Sequence, residues 1–317
     1  MKKHFIFALL LVFSIASVAR ECLSDYPPAE IKKIGANLYG VSPPYAGFDP
    51  CNESVSLKII SNSSIIFIIM HGGGGGSKSQ TELANRLNKA GISTLTFDAF
   101  KMNKLSGSVH FWAVLNTTGP KQRMLYHSGI AAIKWMATQG DLSAHKIYAY
   151  GVSSGATAAL NIAATQDLKN FHGSFMEGIA PIGIGLPDNI YYPVNFFFGR
   201  QDNYGGRQAS EYVWHRTVPC SWNVPVMNTP DGNSKDCNFM ANSNKNTQTS
   251  ESYIAEQKSK GANISIDFFD GAGHDVFLGG MRTSTFQSQS GTLFSTLGAN
   301  WGVSDLVFER IIALTKR

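Results

Sequence analysis

Several features are missing from this sequence of 317 residues, and each absence narrows the range of proteins it can be. No cluster of Lys and Arg alternates with aromatic residues, so the sequence predicts no surface that follows a nucleic-acid backbone. No internal repeat and no linker rich in Pro or Ser divides the chain. With 43% hydrophobic and 15% charged residues, the composition is that of an ordinary globular protein.

Long apolar runs are also missing, except at the N-terminus. Lys2 and Lys3 precede an apolar run from Phe5 to Ala16, and small residues then occupy positions 17 and 19. This pattern predicts a signal peptide over residues 1–19, with one domain over residues 20–317 and a secreted or periplasmic location. A membrane anchor is the alternative, but the run is short for a span of about 20 residues. Cleavage would leave a formal charge of +3, because the signal holds two lysines and no acid.

Cysteine is scarce, and no two cysteines have the CxxC spacing of a zinc site. An even number of cysteines in an exported chain predicts disulfides, and four allow three pairings. The pairing favoured here joins neighbours in sequence, Cys22 with Cys51 and Cys220 with Cys237. Zinc is the alternative, but no histidine lies close to these residues. We therefore expect neither a metal nor an organic cofactor.

Short apolar segments alternate with helical patterns along the chain. The run from Ser64 to Met70 is rich in β-branched residues and too short for most helices, which predicts a strand buried on both faces. Strands are predicted over 64–70, 92–98, 146–150, 175–184, 194–198 and 264–269, and helices over 80–90, 121–138, 156–164, 251–260 and 305–314. Apolar strands that alternate with helices predict an α/β fold, a mostly parallel doubly wound sheet with helices on both faces. Functional residues then gather at the carboxyl ends of the strands.

The loop after the strand at 146–150 has the pattern G-x-S-x-G. Gly151 and Gly155 flank Ser153, and a helix of small residues follows directly. This is the nucleophile elbow, a tight turn between strand and helix that exposes the serine and needs glycine on either side. The sequence predicts Ser153 as a nucleophile.

The loop after Met70 consists of His71 and five glycines. Its backbone can approach a ligand closely, and in hydrolases this loop supplies one oxyanion donor while the residue after the nucleophile supplies the other. We expect the N–H groups of Gly73, with Gly74 as the alternative, and Ser154 in this role. A phosphate-binding loop is the rival interpretation, but GxxxxGK[ST] and a fitting GxGxxG are absent. His71 itself is expected to be structural.

A general base and an acid are expected downstream of the serine. His274 follows Gly271 and Gly273 after the predicted strand at 264–269. Asp202 lies about four residues beyond the strand at 194–198, where an acid can reach a histidine held by the next strand. Asp188 is the competing acid. Asp98 and Asp275 are expected to be capping or turn residues.

These motifs together resemble the α/β-hydrolase superfamily and, within it, the dienelactone-hydrolase-like branch. The resemblance rests on residues 71–76, 146–156, 199–202 and 270–277 and extends over most of 64–317. Two features depart from the branch. Dienelactone hydrolases have a cysteine nucleophile where this chain has Ser153, so their lactone substrate is not carried over. The segment of about 203–262 is unusually long, and we expect it to form a disulfide-stapled lid or rim beside the pocket, with a remote surface excursion as the alternative.

The expected function is cleavage of carboxylic esters, small or polymeric, through a Ser–His–Asp triad and an acyl-enzyme. A serine peptidase or amidase on the same fold is the first alternative, because a triad does not distinguish esters from amides. A non-catalytic binding protein on a hydrolase scaffold is the alternative from another class. The sequence names no specific substrate and no oligomeric state.

Overall fold

A computed structural model describes residues 31–35, 38–41, 47–103, 118–179, 186–203, 213–215, 247–288 and 291–316. The strands are β1 Ile31–Gly35, β2 Leu38–Val41, β3 Val55–Lys58, β4 Ile65–Met70, β5 Ser93–Phe97, β6 Lys146–Val152, β7 Phe171–Glu177, β8 Val194–Gly199, β9 Val213–His215, β10 Thr247–Thr249, β11 Ile264–Phe269, β12 Arg282–Ser288 and β13 Gly291–Leu297. The helices are α1 Lys78–Lys89, α2 Ala99–Met102, α3 Thr118–Thr138, α4 Ser154–Ala163, α5 Ser250–Ser259 and α6 Val303–Thr315.

A central sheet of seven strands has the order β11–β8–β7–β6–β4–β5–β3. Every neighbouring pair is parallel except β3 and β5, so the one antiparallel strand lies at an edge. The other described strands form two-stranded sheets, β1–β2, β9–β10 and β12–β13. The mostly parallel sheet confirms the α/β class predicted from the apolar strands.

Both faces of the sheet are covered, which is why its strands have no polar side. In β4, Ile66 and Ile68 pack into one hydrophobic cluster, and Phe67 and Ile69 pack into the other. The first cluster takes in residues of α2, α3, α4 and α5, and the second takes in residues of α1 and α6. Alternate side chains of a strand point to opposite faces, so a strand covered on both sides reads as a continuous apolar run. Helices on both faces were predicted, and this is confirmed.

Two of the predictions about strands need correction. The bounds of the strand predicted over 175–184 are wrong, because β7 runs from Phe171 to Glu177 and Gly178 then turns the chain with φ +53°. The hairpin of β12 and β13 was not predicted. Its register pairs Arg282 with Leu297 and Ser288 with Gly291. This hairpin lies between the histidine loop and α6 in sequence.

Some predictions fall outside the described residues. The predicted signal peptide lies there, and so do Cys22, Cys220 and Cys237; Cys51, which is described, carries no free thiol. Most of the segment at 203–262 is also outside, apart from Asn203, the pair of β9 with β10, and the stretch that begins at α5. The pairing of the cysteines and the rim therefore stay predictions. None of the helices in the described part of the chain has the length and apolarity needed to cross a membrane.

Candidate active site

Ser153 occupies the turn between β6 and α4 in a strained backbone conformation. Its φ of 56° and ψ of −117° lie outside the regions that residues with a side chain normally adopt. The Ser153 N–H donates to the carbonyl of Glu177 in β7 at 2.9 Å, which fixes the turn against the neighbouring strand. Ser154 begins α4, where backbone N–H groups have no partner within the helix, and it is buried. The elbow predicted from the sequence is present.

Glycine on both sides of this turn is a steric requirement. A Cβ on Gly151 would overlap the carbonyl of Gly155, and a Cβ on Gly155 would lie 2.5 Å from the carbonyl oxygen of His71. Real Cβ atoms do not approach backbone so closely, and the neighbours here are backbone atoms that cannot rotate away. Close packing of β4, β6 and α4 therefore depends on the absence of these two side chains.

Substitution of Gly151 by Ala is expected to cost about 3 kcal/mol or more of unfolding free energy, because the added methyl must push β6 away from the backbone of Gly155 and Ala156 in α4. Urea unfolding monitored by circular dichroism measures this. Gly140→Ala is the matched control, because a Cβ at Gly140 would meet nothing within 4 Å. Equal stability of the two variants would contradict the steric argument.

The glycine loop after β4 is a turn with Gly73 and Gly74 at its centre. The N–H of Gly75 donates to the carbonyl of Gly72 at 3.3 Å, and Gly75 has φ +94°. A Cβ on Gly74 would meet nothing within 4 Å, so the loop faces open space at that residue. A Cβ on Gly72 would lie 3.4 Å from the Cβ of Ser153. The loop and the elbow therefore lie side by side, and the oxyanion site stays a prediction.

His71 is fully buried under this loop and has a structural role, as expected. Its Nδ1 lies 2.7 Å from the carbonyl oxygen of Gly72, and its Nε2 accepts the N–H of Ala99 at 3.0 Å. An imidazole that donates at one nitrogen and accepts at the other is neutral. Burial lowers the pKa of His71, although the nearby Asp98 carboxylate opposes this change, so the neutral form is also favoured electrostatically.

Asp98 ties the other end of the loop to α2, the short helix whose first residue, Ala99, bonds to His71. Its Oδ1 accepts the N–H groups of Phe100 at 2.9 Å and Lys101 at 3.0 Å, which caps α2 as the sequence predicts. Its Oδ2 accepts the N–H of Gly76 at 2.9 Å. His71 and Asp98 thus hold residues 72–76 at both ends. The bond between Asp98 and Gly76 was not predicted from the sequence.

His274 and Asp202 form a buried pair at the ends of adjacent strands. The Nδ1 atom of His274 lies 3.0 Å from Oδ2 of Asp202, and both side chains are almost completely buried. Burial lowers the pKa of His274, but the carboxylates of Asp202, Asp275 and Glu177 outweigh it, so its pKa lies above the ordinary value. The competing acid, Asp188, is exposed, and its carbonyl accepts a bond from Lys260 of the segment that follows α5.

The ends of four strands, β6, β7, β8 and β11, lie around Gly178. The carbonyl of Glu177 binds the N–H of Ser153, and a Cβ on Gly178 would lie 2.7 Å from Nδ1 of His274. The same Cβ would lie 3.3 Å from Oδ2 of Asp202. Because Gly178 has no side chain, the His–Asp pair can pack directly against the backbone at the end of β7. The end of β7 thus contacts the serine turn through Glu177 and the His–Asp pair through Gly178.

The hairpin of β12 and β13 supports the histidine from the other side. The N–H of His274 donates to the carbonyl of Thr296 at 2.7 Å, and the N–H of Thr296 donates to the side-chain oxygen of Asn203 at 2.6 Å. Asn203 follows the acid directly in sequence. Sequence reasoning missed both residues, since neither has a motif of its own. Within the described residues, no group of three or more His, Cys, Asp and Glu side chains has an arrangement that could hold a metal ion.

No family model matches the sequence, and no curated protein is similar to it in sequence. Solved structures with a similar chain include a dienelactone hydrolase from Anabaena variabilis, which is 14% identical over 79% of this chain and 89% of its own, with a TM-score of 0.43. A dienelactone hydrolase-like promiscuous phosphotriesterase from metagenomic libraries is 12% identical over 71% and 85%, with a TM-score of 0.42. Est1E from Butyrivibrio proteoclasticus with bound ferulic acid is 15% identical over 70% and 86%, with a TM-score of 0.39.

The strand order of the central sheet assigns the fold without reference to these structures. Ser153 follows β6, Asp202 follows β8 and His274 follows β11, each beyond the carboxyl end of a parallel strand. The chain order of serine, acid and histidine, with a glycine loop after β4 beside the serine, completes the pattern. The chain has the α/β-hydrolase fold.

Proposed function

We propose that the protein is a serine hydrolase that cleaves carboxylic esters, and that it belongs to the dienelactone-hydrolase-like branch of the superfamily. The observation that carries this proposal is the buried bond between His274 and Asp202 at a strand end next to the strained turn of Ser153. A strained nucleophile, an oriented base and a neighbouring loop of backbone N–H groups are the parts that acyl transfer needs.

In the proposed first step, the Oγ of Ser153 attacks the ester carbonyl carbon while Nε2 of His274 takes the hydroxyl proton. The carbonyl π electrons move to the oxygen, and the N–H groups of Gly73 or Gly74 and of Ser154 stabilise that oxyanion. The oxyanion then collapses, the bond to the leaving oxygen breaks, and the imidazolium gives its proton to that oxygen. An alcohol departs, and the acyl group remains on Ser153.

Water completes the proposed cycle. His274 takes a proton from the water as its oxygen attacks the acyl carbon, and the same proton returns to Ser153 when the acid is released. Asp202 accepts the Nδ1–H of His274, which leaves Nε2 unprotonated and aimed at the reaction. The carboxylate also stabilises the imidazolium, in keeping with the raised pKa of His274. No step uses a metal or an organic cofactor.

A fluorophosphonate probe tests the proposed nucleophile. We expect the mature protein to react with the probe at Ser153, located by peptide mass spectrometry, and to hydrolyse p-nitrophenyl acetate or butyrate. Ser153→Ala is expected to abolish both reactions, because no other atom can form the acyl-enzyme. Ser143→Ala, at a half-buried serine in the turn before β6, is the matched control and keeps both. Unchanged hydrolysis by Ser153→Ala would rule out the proposal, and an absence of labelling in the folded, oxidised protein would favour a binding function.

We also propose that the protein is exported, with its cysteines paired as Cys22–Cys51 and Cys220–Cys237. The support is the N-terminal pattern of the sequence and the absence of a free thiol at Cys51. Peptide mapping of the secreted protein under non-reducing conditions tests both points. A mature N-terminus other than Arg20, or either of the other two pairings, would contradict them.

A further inference from the structure

A buried carboxyl group lies directly beneath the histidine loop, and the proposed mechanism gives it no part. Glu177 is the last residue of β7 and is 2% exposed. One of its oxygens accepts the backbone N–H of Val276, two residues after His274, and the other bonds to the hydroxyl of Tyr150 in β6. A carboxyl group in such a place connects two strands of the sheet to the loop that carries the histidine.

We propose that Glu177 is a positioning residue for His274, which fixes residues 274–276 against the sheet by bridging the N–H of Val276 and the hydroxyl of Tyr150. The inference rests on the proposed role of His274 as the general base. Glu177 does not reach the substrate in this proposal, and it acts only through the loop.

The loop needs such a support because its backbone is strained and buried. Asp275 has φ 63°, a left-handed conformation that costs a residue with a side chain free energy and persists only where neighbours enforce it. The Asp275 carboxylate accepts the hydroxyl of Ser79 in α1 at 2.9 Å. Without Glu177, the N–H of Val276 would be a buried donor with no acceptor from the sheet. Glu177 and Ser79 therefore hold the two residues that follow His274.

The surroundings favour the protonated form of Glu177. Burial and, after it, the neighbouring Asp275 carboxylate raise the pKa of Glu177 to about 8. The titratable groups that act on it from the packed elements are Tyr150 of β6 and His274 and Asp275 of the loop, while Arg282 acts on Asp275 and Asp202 acts on His274. The hydroxyl of Tyr150 donates to one oxygen of the Glu177 carboxyl, and the N–H of Val276 donates to the other. Glutamine has the same shape and keeps an acceptor for the N–H of Val276, while its amide N–H can donate to the hydroxyl oxygen of Tyr150.

The pH dependence of ester hydrolysis by Glu177→Gln tests the proposal. In the wild type, ionised Glu177 places a second charge beside Asp275 and disturbs the loop, so we expect kcat/KM to fall about tenfold for each pH unit above about 8, after correction for spontaneous hydrolysis. Glu177→Gln is expected to match the wild type within about twofold at pH 7 and to lack this alkaline fall. Glu177→Ala is expected to lose at least about tenfold in kcat at all pH values, with KM nearly unchanged, because it removes both bonds.

Glu256→Gln is the matched control, because Glu256 pairs with Lys260 at 2.6 Å. Its helix, α5, packs into the first hydrophobic cluster, whereas the histidine loop packs into the second, on the opposite face of the sheet. It should keep the alkaline fall of the wild type. The same fall in Glu177→Gln, or a tenfold loss in that variant at pH 7, would overturn the positioning role.

A second measurement separates this inference from the proposed function. If the wild type neither labels nor hydrolyses, the proposed function fails, and the positioning role is then judged from the NMR signals of the His274 ring between about pH 7 and about pH 9.5. The wild-type signals should shift as Glu177 ionises, and those of Glu177→Gln should lack that shift. Identical titrations in the two proteins would overturn the inference whether or not the protein is an enzyme.

Discussion

Substitution of Asp202 by Asn is expected to lower kcat for ester hydrolysis by about 10³–10⁴-fold, with little change in KM. Asp202 accepts the Nδ1–H of His274, whereas the amide of Asn can donate its N–H to Nδ1. The imidazole then holds its proton on Nε2, and this nitrogen can no longer take the proton of Ser153. The imidazolium that forms in the transition state also loses its counter-charge.

The size of this effect distinguishes an orienting acid from a structural one. Asp188→Asn is the matched control, because Asp188 is exposed and was the competing acid in the sequence. It is expected to keep kcat within about twofold of the wild type, since its carboxylate lies at the surface. Steady-state hydrolysis of p-nitrophenyl butyrate measures both variants, and thermal unfolding confirms that both are folded. A large loss in Asp188→Asn with a small one in Asp202→Asn would reverse the assignment of the acid.

The fold could be predicted from the sequence because strands that are buried on both faces are continuous runs of apolar residues. The apolar runs of β4, β8 and β11 were located within one residue, since their ends are marked by glycine or polar residues. The hairpin of β12 and β13 could not be predicted in this way, because β12 is not an apolar run. In β12, residues 282–285 are exposed or half-buried and mostly Thr and Ser, so no apolar alternation reveals a strand.

The residues of the candidate site also fall into two groups, those that the sequence could predict and those that it could not. Ser153, Asp202 and His274 could be named as candidates because each lies shortly beyond the carboxyl end of a parallel strand, in a turn that contains glycine. Glu177 and Tyr150 could not, since they sit within apolar runs and their partners are distant in sequence. Glu177 meets Val276 only because β7 and the loop after β11 end at the same edge of the sheet. Contacts of this kind follow from topology, which a single sequence does not record.

Glu177→Gln is also expected to change the pH dependence of the free energy of unfolding. Between about pH 4.5 and about pH 8, the variant should gain about 5 kcal/mol relative to the wild type. The pKa of Glu177 is raised from 4.5 to about 8 in the folded protein, so the native state binds this proton more tightly than the unfolded chain. Its contribution to stability is therefore complete below about pH 4.5 and is lost as pH rises through about 8. Glutamine has no proton to lose, so the variant keeps its stability over that range.

Urea unfolding at intervals from about pH 5 to about pH 9 measures this difference as a free energy at each pH. The free energy of the variant minus that of the wild type should increase with pH up to about 8, in favour of the variant, and level off above it. Asp275, whose pKa is also raised by burial, is present in both proteins, so the difference reports Glu177 together with its interaction with Asp275. Glu256→Gln should run parallel to the wild type. If Glu177→Gln also runs parallel, Glu177 is ionised throughout, and the buried site holds two carboxylate charges that Arg282 and His274 must then compensate.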